Sequence, residues 1–352
     1  MASMATTMKD VARRAGVDVS TVSLALNNDP RIRQETRERI SKIAQELGYR
    51  KNSLARGLRS GKSYTVGAVV GFAAGFWGEV LAGAQSVFAE REYHLLLDYA
   101  PSDSRHEEIQ IEALKSKRVD GLLIAPSDRN PEAGDELPVA HYRALKEEGI
   151  PFVFMDRYVP GLKADFVVAD NFAAARTVTR HLLRLGHKKI AYLYSPHRMN
   201  TGQRERLDGY NSVMRAAGLT PLAWEAIHSR AERSQEGMEA TCELLADPEG
   251  EGVTALLTAT DTMAMGALRA LYDAGVKVPD EMALASFGGA AAAEYMQPPL
   301  TTMTLPMRAI GEQAARLLLS RIDGDVSPNQ NILLPTELTI RASCGASLRK
   351  LA

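Results

Sequence analysis

The chain has 352 residues, a formal net charge of −1 at pH 7 and 45% hydrophobic residues. Its two cysteines, Cys242 and Cys344, sit far apart with no Cys-x-x-Cys spacing, which argues against a zinc or redox centre and fits a reducing cytoplasm. No charged-then-apolar leader opens it, and the apolar run 65–76 is internal and too short to span a bilayer. Charge is unevenly spread: residues 1–62 hold 13 Lys and Arg against six Asp and Glu, a net of +7, and the remainder carries a net of −8. A basic module on an acidic body points to a polyanionic partner reached by one end only.

In chain order, residues 1–7 read as an unstructured lead-in. Met8 to Ala15 places Val11, Ala12 and Ala15 on one face of a helix, and Gly16 suits its left-handed cap. Asp18 suits an N-cap for a second helix, Val19–Leu26, with Val22, Ala25 and Leu26 inward. A third helix, about Arg33 to Leu47, closes a small core with Ile40, Ile43, Ala44 and Leu47. Two short helices joined by a glycine turn make a helix-turn-helix unit. A second helix seated in a major groove presents Val19, Ser20 and Thr21 to base edges, with Ser23, Asn27 and Arg31 near phosphates.

These residues carry a resemblance. Val11-Ala-x-x-Ala-Gly-Val-x-x-x-Thr21-Val-Ser-x-x-Leu26-Asn27, then Thr36-Arg37-x-x-Ile40 and Leu47-Gly-Tyr49, resemble the headpiece of the LacI/GalR family of bacterial transcription regulators. Asn52-Ser-Leu-Ala55-Arg56-Gly-Leu58-Arg59 is similar to that family's hinge helix. The resemblance implies base readers at Val19, Ser20 and Leu24. Leucine at the last position, where many members carry arginine, replaces hydrogen bonding with apolar contact. It further implies a minor-groove element of Asn52, Ala55, Arg56, Leu58 and Arg59, with Leu58 wedged between base pairs. About eight residues containing a glycine do not hold a helix alone in water, so the hinge should order only with a second copy and DNA.

From Thr65 onward strands and helices alternate. Strands are expected at 65–71, 93–97, 121–124 and 151–155, and helices at 77–92, 105–116 and 140–148. A restart follows: strand 166–168, helix 172–185, strand 189–193, helix 206–217, strand 255–258, helix 262–274 and strand 283–287. A segment at 302–305, helix 307–322 and a final strand near 333–340 complete the chain. This predicts an α/β body of two parallel-sheet lobes with a cleft at the strand ends. Val119-Asp-Gly121, His181-Leu-Leu-x-Leu-Gly186-His187, Gly275-Val-x-Val-Pro279-Asp280 and Pro299-Leu-Thr-Thr-Met303 match landmarks of the family's periplasmic-binding-protein-like body. The expected divisions are 7–50 for the helix-turn-helix domain and 51–63 for the hinge. The first lobe takes 64–163 with 291–325, and the second 164–290 with 326–346.

Asp156, Arg157 and Asp170 stand at strand ends, suited to hydroxyls or phosphate. The resemblance implies effector contacts at Asp156, Asp170 and Arg206. Phe76 and Trp77 suit stacking against a sugar ring, and Asp261 opens a helix as an effector contact or simply its N-cap. Where most members carry an aspartate after the late strand, this chain has Gly288, which removes an acceptor and implies a roomier pocket. No Walker-type loop and no G-x-S-x-G elbow is present, so no catalytic residue, metal or cofactor is expected. The resemblance implies a cytoplasmic homodimeric repressor of a carbohydrate-utilisation operon, on a pseudo-palindromic operator and with a small-molecule effector. A non-sugar metabolite or a corepressor uses the same parts, and a solute-binding protein would need a leader in place of the headpiece.

Overall fold

The computed structural model describes residues 6–26, 28–49, 61–71, 75–99, 104–127, 139–196, 199–226 and 233–346. The chain divides into two compact units, Met1–Ser63 and Tyr64–Ala352. Asn27 and the hinge positions Asn52, Ala55, Arg56, Leu58 and Arg59 lie outside the described residues.

In the first unit, α1 (Met8–Ala15), α2 (Val19–Leu26) and α3 (Gln34–Glu46) surround Val11, Ala12, Ala15, Val22, Ala25, Ile40 and Ala44. At the start of α1, the Thr7 N–H and hydroxyl both donate to the Asp10 carboxylate, at 2.9 and 2.6 Å. This anchors the first turn and puts negative charge at its positive end. Gly16 ends α1 at φ 66. Helix α2 starts from the Asp18 carbonyl, which accepts from Val22 N–H. Arg33 precedes α3 without a side-chain cap, as its sequence suggests.

The second unit is built on two six-stranded sheets. The chain runs β1 (Thr65–Val70), α4 (Phe76–Glu90), β2 (His94–Tyr99), α5 (Ser104–Ser116), β3 (Gly121–Ile124), α6 (Val139–Glu147), β4 (Phe152–Met155) and β5 (Asp165–Ala169). It continues through α7 (Asn171–Arg184), β6 (Ile190–Tyr194), α8 (Thr201–Ala216), β7 (Leu222–Glu225), α9 (Arg233–Ala246), β8 (Ala255–Thr258), α10 (Asp261–Asp273) and β9 (Ala283–Gly288). Then come β10 (Thr301–Thr304), α11 (Met307–Ile322), β11 (Asn331–Leu334) and β12 (Glu337–Thr339). The first sheet has the order β11-β5-β4-β3-β1-β2 and the second β12-β10-β9-β8-β6-β7. Among the described residues all pairings are parallel except β10 with β12. The central strands are buried along their length, as parallel strands covered on both faces must be.

Strand assignments differ from the sequence reading in several places. Strand β5 belongs to the first sheet, beside β4, although the absence of a helix between them reads as a restart. The residues between Met155 and Asp165 bridge two parallel neighbours without one. Strand β10 joins the second sheet rather than the first lobe. The final expected strand is two strands in different sheets, separated at Pro335, whose missing N–H cannot continue a ladder. The chain therefore passes between lobes three times, after β5, after β10 and after β11. Strand β7 and helix α9 were not anticipated. Among the described residues no helix is long and apolar enough to cross a membrane.

Candidate DNA-binding and effector sites

On α2, packing fixes which side chains face out. Val22 and Ala25 are buried in the three-helix core, leaving Val19 and Ser20 exposed and Thr21, Ser23 and Leu24 half-buried. These five share the surface of one short helix. Arg31 is drawn into a forked pair with Asp29, Nε to Oδ1 at 2.9 Å and Nη2 to Oδ2 at 2.8 Å. The guanidinium holds the Asp29 carboxyl down at about 2. A phosphate contact from Arg31 thus means exchanging or sharing that exposed partner, which costs little for a surface pair.

In the body, the carboxyl ends of β4, β5, β8 and β9 bring a polar cluster between the lobes. Asp156 follows β4 in the left-handed region, at φ 67, a conformation aspartate tolerates better than most residues. Its carboxylate lies 3.4 Å from Arg157 Nε. Burial pushes the Asp156 carboxyl up to about 6, against the pull of Arg206 and Arg233. Burial also lowers the Arg157 guanidinium to about 9, with Arg233 and Arg206 pressing the same way and Glu107 opposing them. Arg157 lies over the Trp77 ring at 5.8 Å, and Phe76 meets Trp77 edge-on at 5.1 Å. Trp77 is packed into the first-lobe core, so its contact there is structural as well as lining.

From the second lobe, Arg206 on α8 is buried and held on three sides. Its Nε donates to Asn171 Oδ1 at 2.8 Å and its Nη1 to the Ala259 carbonyl at 2.8 Å, while the guanidinium lies 5.0 Å over the Phe287 ring. Burial lowers its proton affinity, which Tyr192, Asp156 and Asp261 partly restore. The lobes touch at one edge of this cluster. Tyr158 N–H donates to Thr201 Oγ1 at 3.2 Å, and Tyr158 OH donates to Glu205 Oε1 at 3.0 Å. Burial raises the Glu205 carboxyl. Asp170 caps α7, its Oδ1 accepting from Ala173 N–H at 2.9 Å. Among the described residues no group of three or more His, Cys, Asp and Glu side chains could hold a metal.

Two expectations change here. Asp261 is neither the N-cap of α10, which is Thr260, nor a side chain open to a ligand. One carboxylate oxygen accepts from Thr302 Oγ1 at 2.6 Å and from Ser286 Oγ, and the other accepts from Gly289 and Ala290 N–H, both at 2.8 Å. Four donors saturate it, so it anchors the loop after β9. Gly288, at φ 153, does not open a roomier pocket: a Cβ there would meet an Asp261 oxygen at 2.6 Å. The space is filled by the carboxylate that holds the loop.

Sequence reasoning missed Asn171, Tyr158, Glu205, Phe287 and Arg233. Glu205 sits within the Arg204-Glu-Arg206 run that flagged Arg206, so that signal was at hand. Asn171 and Phe287 look like an ordinary first helical residue and an ordinary strand residue, and only the meeting of three elements gives them a partner.

The same architecture recurs in known proteins. Residues 7–52 match the bacterial regulatory proteins of the lacI family, and residues 179–344 match the periplasmic binding protein-like domain. The transcriptional regulator CelR of Thermobifida fusca is 32% identical over 96% of this chain and 98% of its own. The repressor CytR of Escherichia coli (strain K12) is 31% identical over 97% of each. A solved CelR–cellobiose complex aligns with TM-score 0.69 at 29% identity, covering 96% of this chain and 99% of that one. The lac repressor dimer bound to operator and the anti-inducer ONPF aligns with TM-score 0.79 at 26% identity, covering 97% and 99%. The chain belongs to the LacI family of bacterial regulatory proteins and is a DNA-binding transcriptional regulator.

Proposed function

We propose that this regulator represses a carbohydrate-utilisation operon, binding a pseudo-palindromic operator as a homodimer in the cytoplasm and releasing it when a saccharide enters the cleft. The carrying observation is the polar cluster of Asp156, Arg157, Asn171 and Arg206 between two lobes that touch through Tyr158 and Glu205. Such a cluster at strand ends suits hydroxyl-rich ligands. The relative CelR is solved with cellobiose, and another relative, from Haemophilus influenzae, is a ribose operon repressor.

On this reading Val19, Ser20, Thr21 and Leu24 meet base edges, while Ser23, Asn27 and Arg31 hold phosphates. Asn52, Ala55, Arg56, Leu58 and Arg59 form the hinge element in the minor groove, with Leu58 the wedge. The helix-turn-helix domain spans 7–50 and the hinge 51–63. Asp156, Arg157, Asp170 and Arg206 contact the effector, with Phe76 and Trp77 beside them and Asp261 behind the loop. Ligand binding biases the closed arrangement of the lobes because it touches both, and the two hinge segments lose the pairing on which their order depends.

The test is to select an operator from random duplexes with the purified protein, then follow its binding by fluorescence anisotropy while saccharides, including cellobiose and ribose, are titrated. Release at a saturable saccharide concentration supports the proposal. Tightened binding reverses its sign to a corepressor, and indifference to every saccharide rejects it.

A further inference from the structure

Helix α8 reaches the first lobe through two side chains. Thr201 and Glu205 stand one helical turn apart, so they share a face, and that face meets Tyr158. Tyr158 lies in the segment joining β4 to β5, within the first lobe. Its ring stacks on Phe166 of β5, centroids 4.3 Å apart and planes 9° from parallel, which fixes where its hydroxyl points. From there its N–H donates to Thr201 Oγ1 at 3.2 Å and its hydroxyl to Glu205 Oε1 at 3.0 Å. Glu205 is also hydrogen-bonded by the Asn171 side chain. Asn171 opens α7 directly after β5, where its Nδ2 donates to the Ala169 carbonyl at 3.1 Å and its Oδ1 accepts from Arg206 Nε at 2.8 Å. The contact between the lobes and the arginine of the cleft are thus joined through one amide and one helix.

Resting on the effector reading above, we propose that Tyr158, Thr201 and Glu205 form a latch that holds the two lobes together before any effector arrives. They are positioning residues: they set how much effector the regulator needs, while the cleft side chains choose which one. All three are half-buried, so opening the lobes gives each group back to water, and the latch favours closure only by a modest margin. A switch requires that margin, because a ligand shifts an equilibrium only by its differential affinity for the two states. A ligand held by Arg206 keeps α8 in the position from which Thr201 and Glu205 reach Tyr158. Latch and ligand therefore favour the same arrangement, and a stronger latch lowers the effector concentration that produces a response. Tyrosine and glutamate suit the role. The phenol gives a carboxylate a charge-assisted bond, and Phe166 already holds the ring in place, so little freedom is lost on closing.

The experiment uses the full-length protein, spin-labelled at Cys242, exposed on α9 of the second lobe, and at Glu108→Cys, an exposed position on α5 of the first; Cys344 is buried. Pulsed dipolar spectroscopy then reads the closed and open populations without ligand. Tyr158→Phe keeps the stack on Phe166 and removes only the hydroxyl, and ligand-free melting shows that it folds. The closed-to-open ratio should fall about tenfold, the factor that one hydrogen bond to a charged group supplies. Glu205→Ala should match that loss, Glu205→Gln should keep part of the ratio, and the Tyr158→Phe, Glu205→Ala double variant should lose no more than either single one. An unchanged distance distribution in Tyr158→Phe overturns the latch, and additive losses overturn the Tyr158–Glu205 bond as its basis. Anisotropy on the selected operator separates this from the function proposed above. Tighter ligand-free binding by the opened variants supports both, whereas weaker binding leaves the latch standing and reverses the sign of the effector response. Cellobiose or ribose should release Tyr158→Phe only at about tenfold the concentration the parent needs. If neither sugar releases the parent, the carbohydrate reading loses its support, and the distance measurement still decides the latch.

Discussion

Replacing Asp261 by alanine tests whether that carboxylate holds the β9 loop or faces a ligand. Its two oxygens accept from Thr302 and Ser286 hydroxyls and from Gly289 and Ala290 amides, and the residue is 5% exposed. Each hydrogen bond to a charged group contributes about 1.5–3 kcal/mol, but the hydroxyls can rotate toward other acceptors and the four bonds do not add. The two amides cannot turn, and leaving them half-buried without an acceptor costs about 3–5 kcal/mol in total. At roughly 2 °C per kcal/mol for a unit of this size, Asp261→Ala should melt about 6–10 °C lower without any ligand present. Asp261→Asn keeps one carbonyl oxygen for the amides, and its own N–H groups can donate to the hydroxyls. It should therefore lose only the charge assistance, about 1–2 kcal/mol. The assay is ligand-free calorimetric melting alongside urea unfolding followed by the fluorescence of Trp77 and Trp224. An alanine variant that melts within about 2 °C of the parent yet loses effector affinity refutes the reasoning and returns Asp261 to the binding surface.

Three further outcomes are expected. The Asp156 carboxyl is raised to about 6 from its ordinary value of 3.8, so the folded state binds its proton more tightly than the unfolded chain does. Stability is therefore lost as pH rises from about 4 to above 6, where the carboxyl must ionise in a half-buried site. Asp156→Asn should melt like the parent near pH 4 and higher than the parent above pH 6, and a difference that does not grow with pH contradicts that account. Arg206→Ala should lose effector affinity by at least about a hundredfold, since it removes a buried charged donor and leaves Asn171 and the Ala259 carbonyl without their partner; unchanged affinity by calorimetry excludes Arg206 from the site. Leu58→Ala should weaken operator binding far more than binding to random duplex, because a wedge acts only where the base step yields to it; equal losses on both DNAs reject intercalation.

The headpiece was legible almost residue by residue. Its helices are short, their apolar positions are three and four apart, and Gly16 and Asp10 end and begin α1 by contacts within a few residues. The βα alternation was equally readable, because buried strands and amphipathic helices write their period directly into the chain. Membership of the cleft was partly readable, since Asp156, Arg157, Asp170 and Arg206 all follow or face strand ends. Tertiary structure alone decided the rest. Which sheet takes β5, β10 or β11 depends on which strand each one pairs with, near in the chain for β5 and β10 and distant for β11, and no periodicity within the strand encodes that choice. What Asp261 does was decided by Ser286, Gly289, Ala290 and Thr302, more than twenty residues downstream, and the same contacts fill the space that glycine at 288 had suggested was open. A side chain's chemistry is fixed by its own atoms, but whether a ligand can use it depends on which distant donors have already reached it.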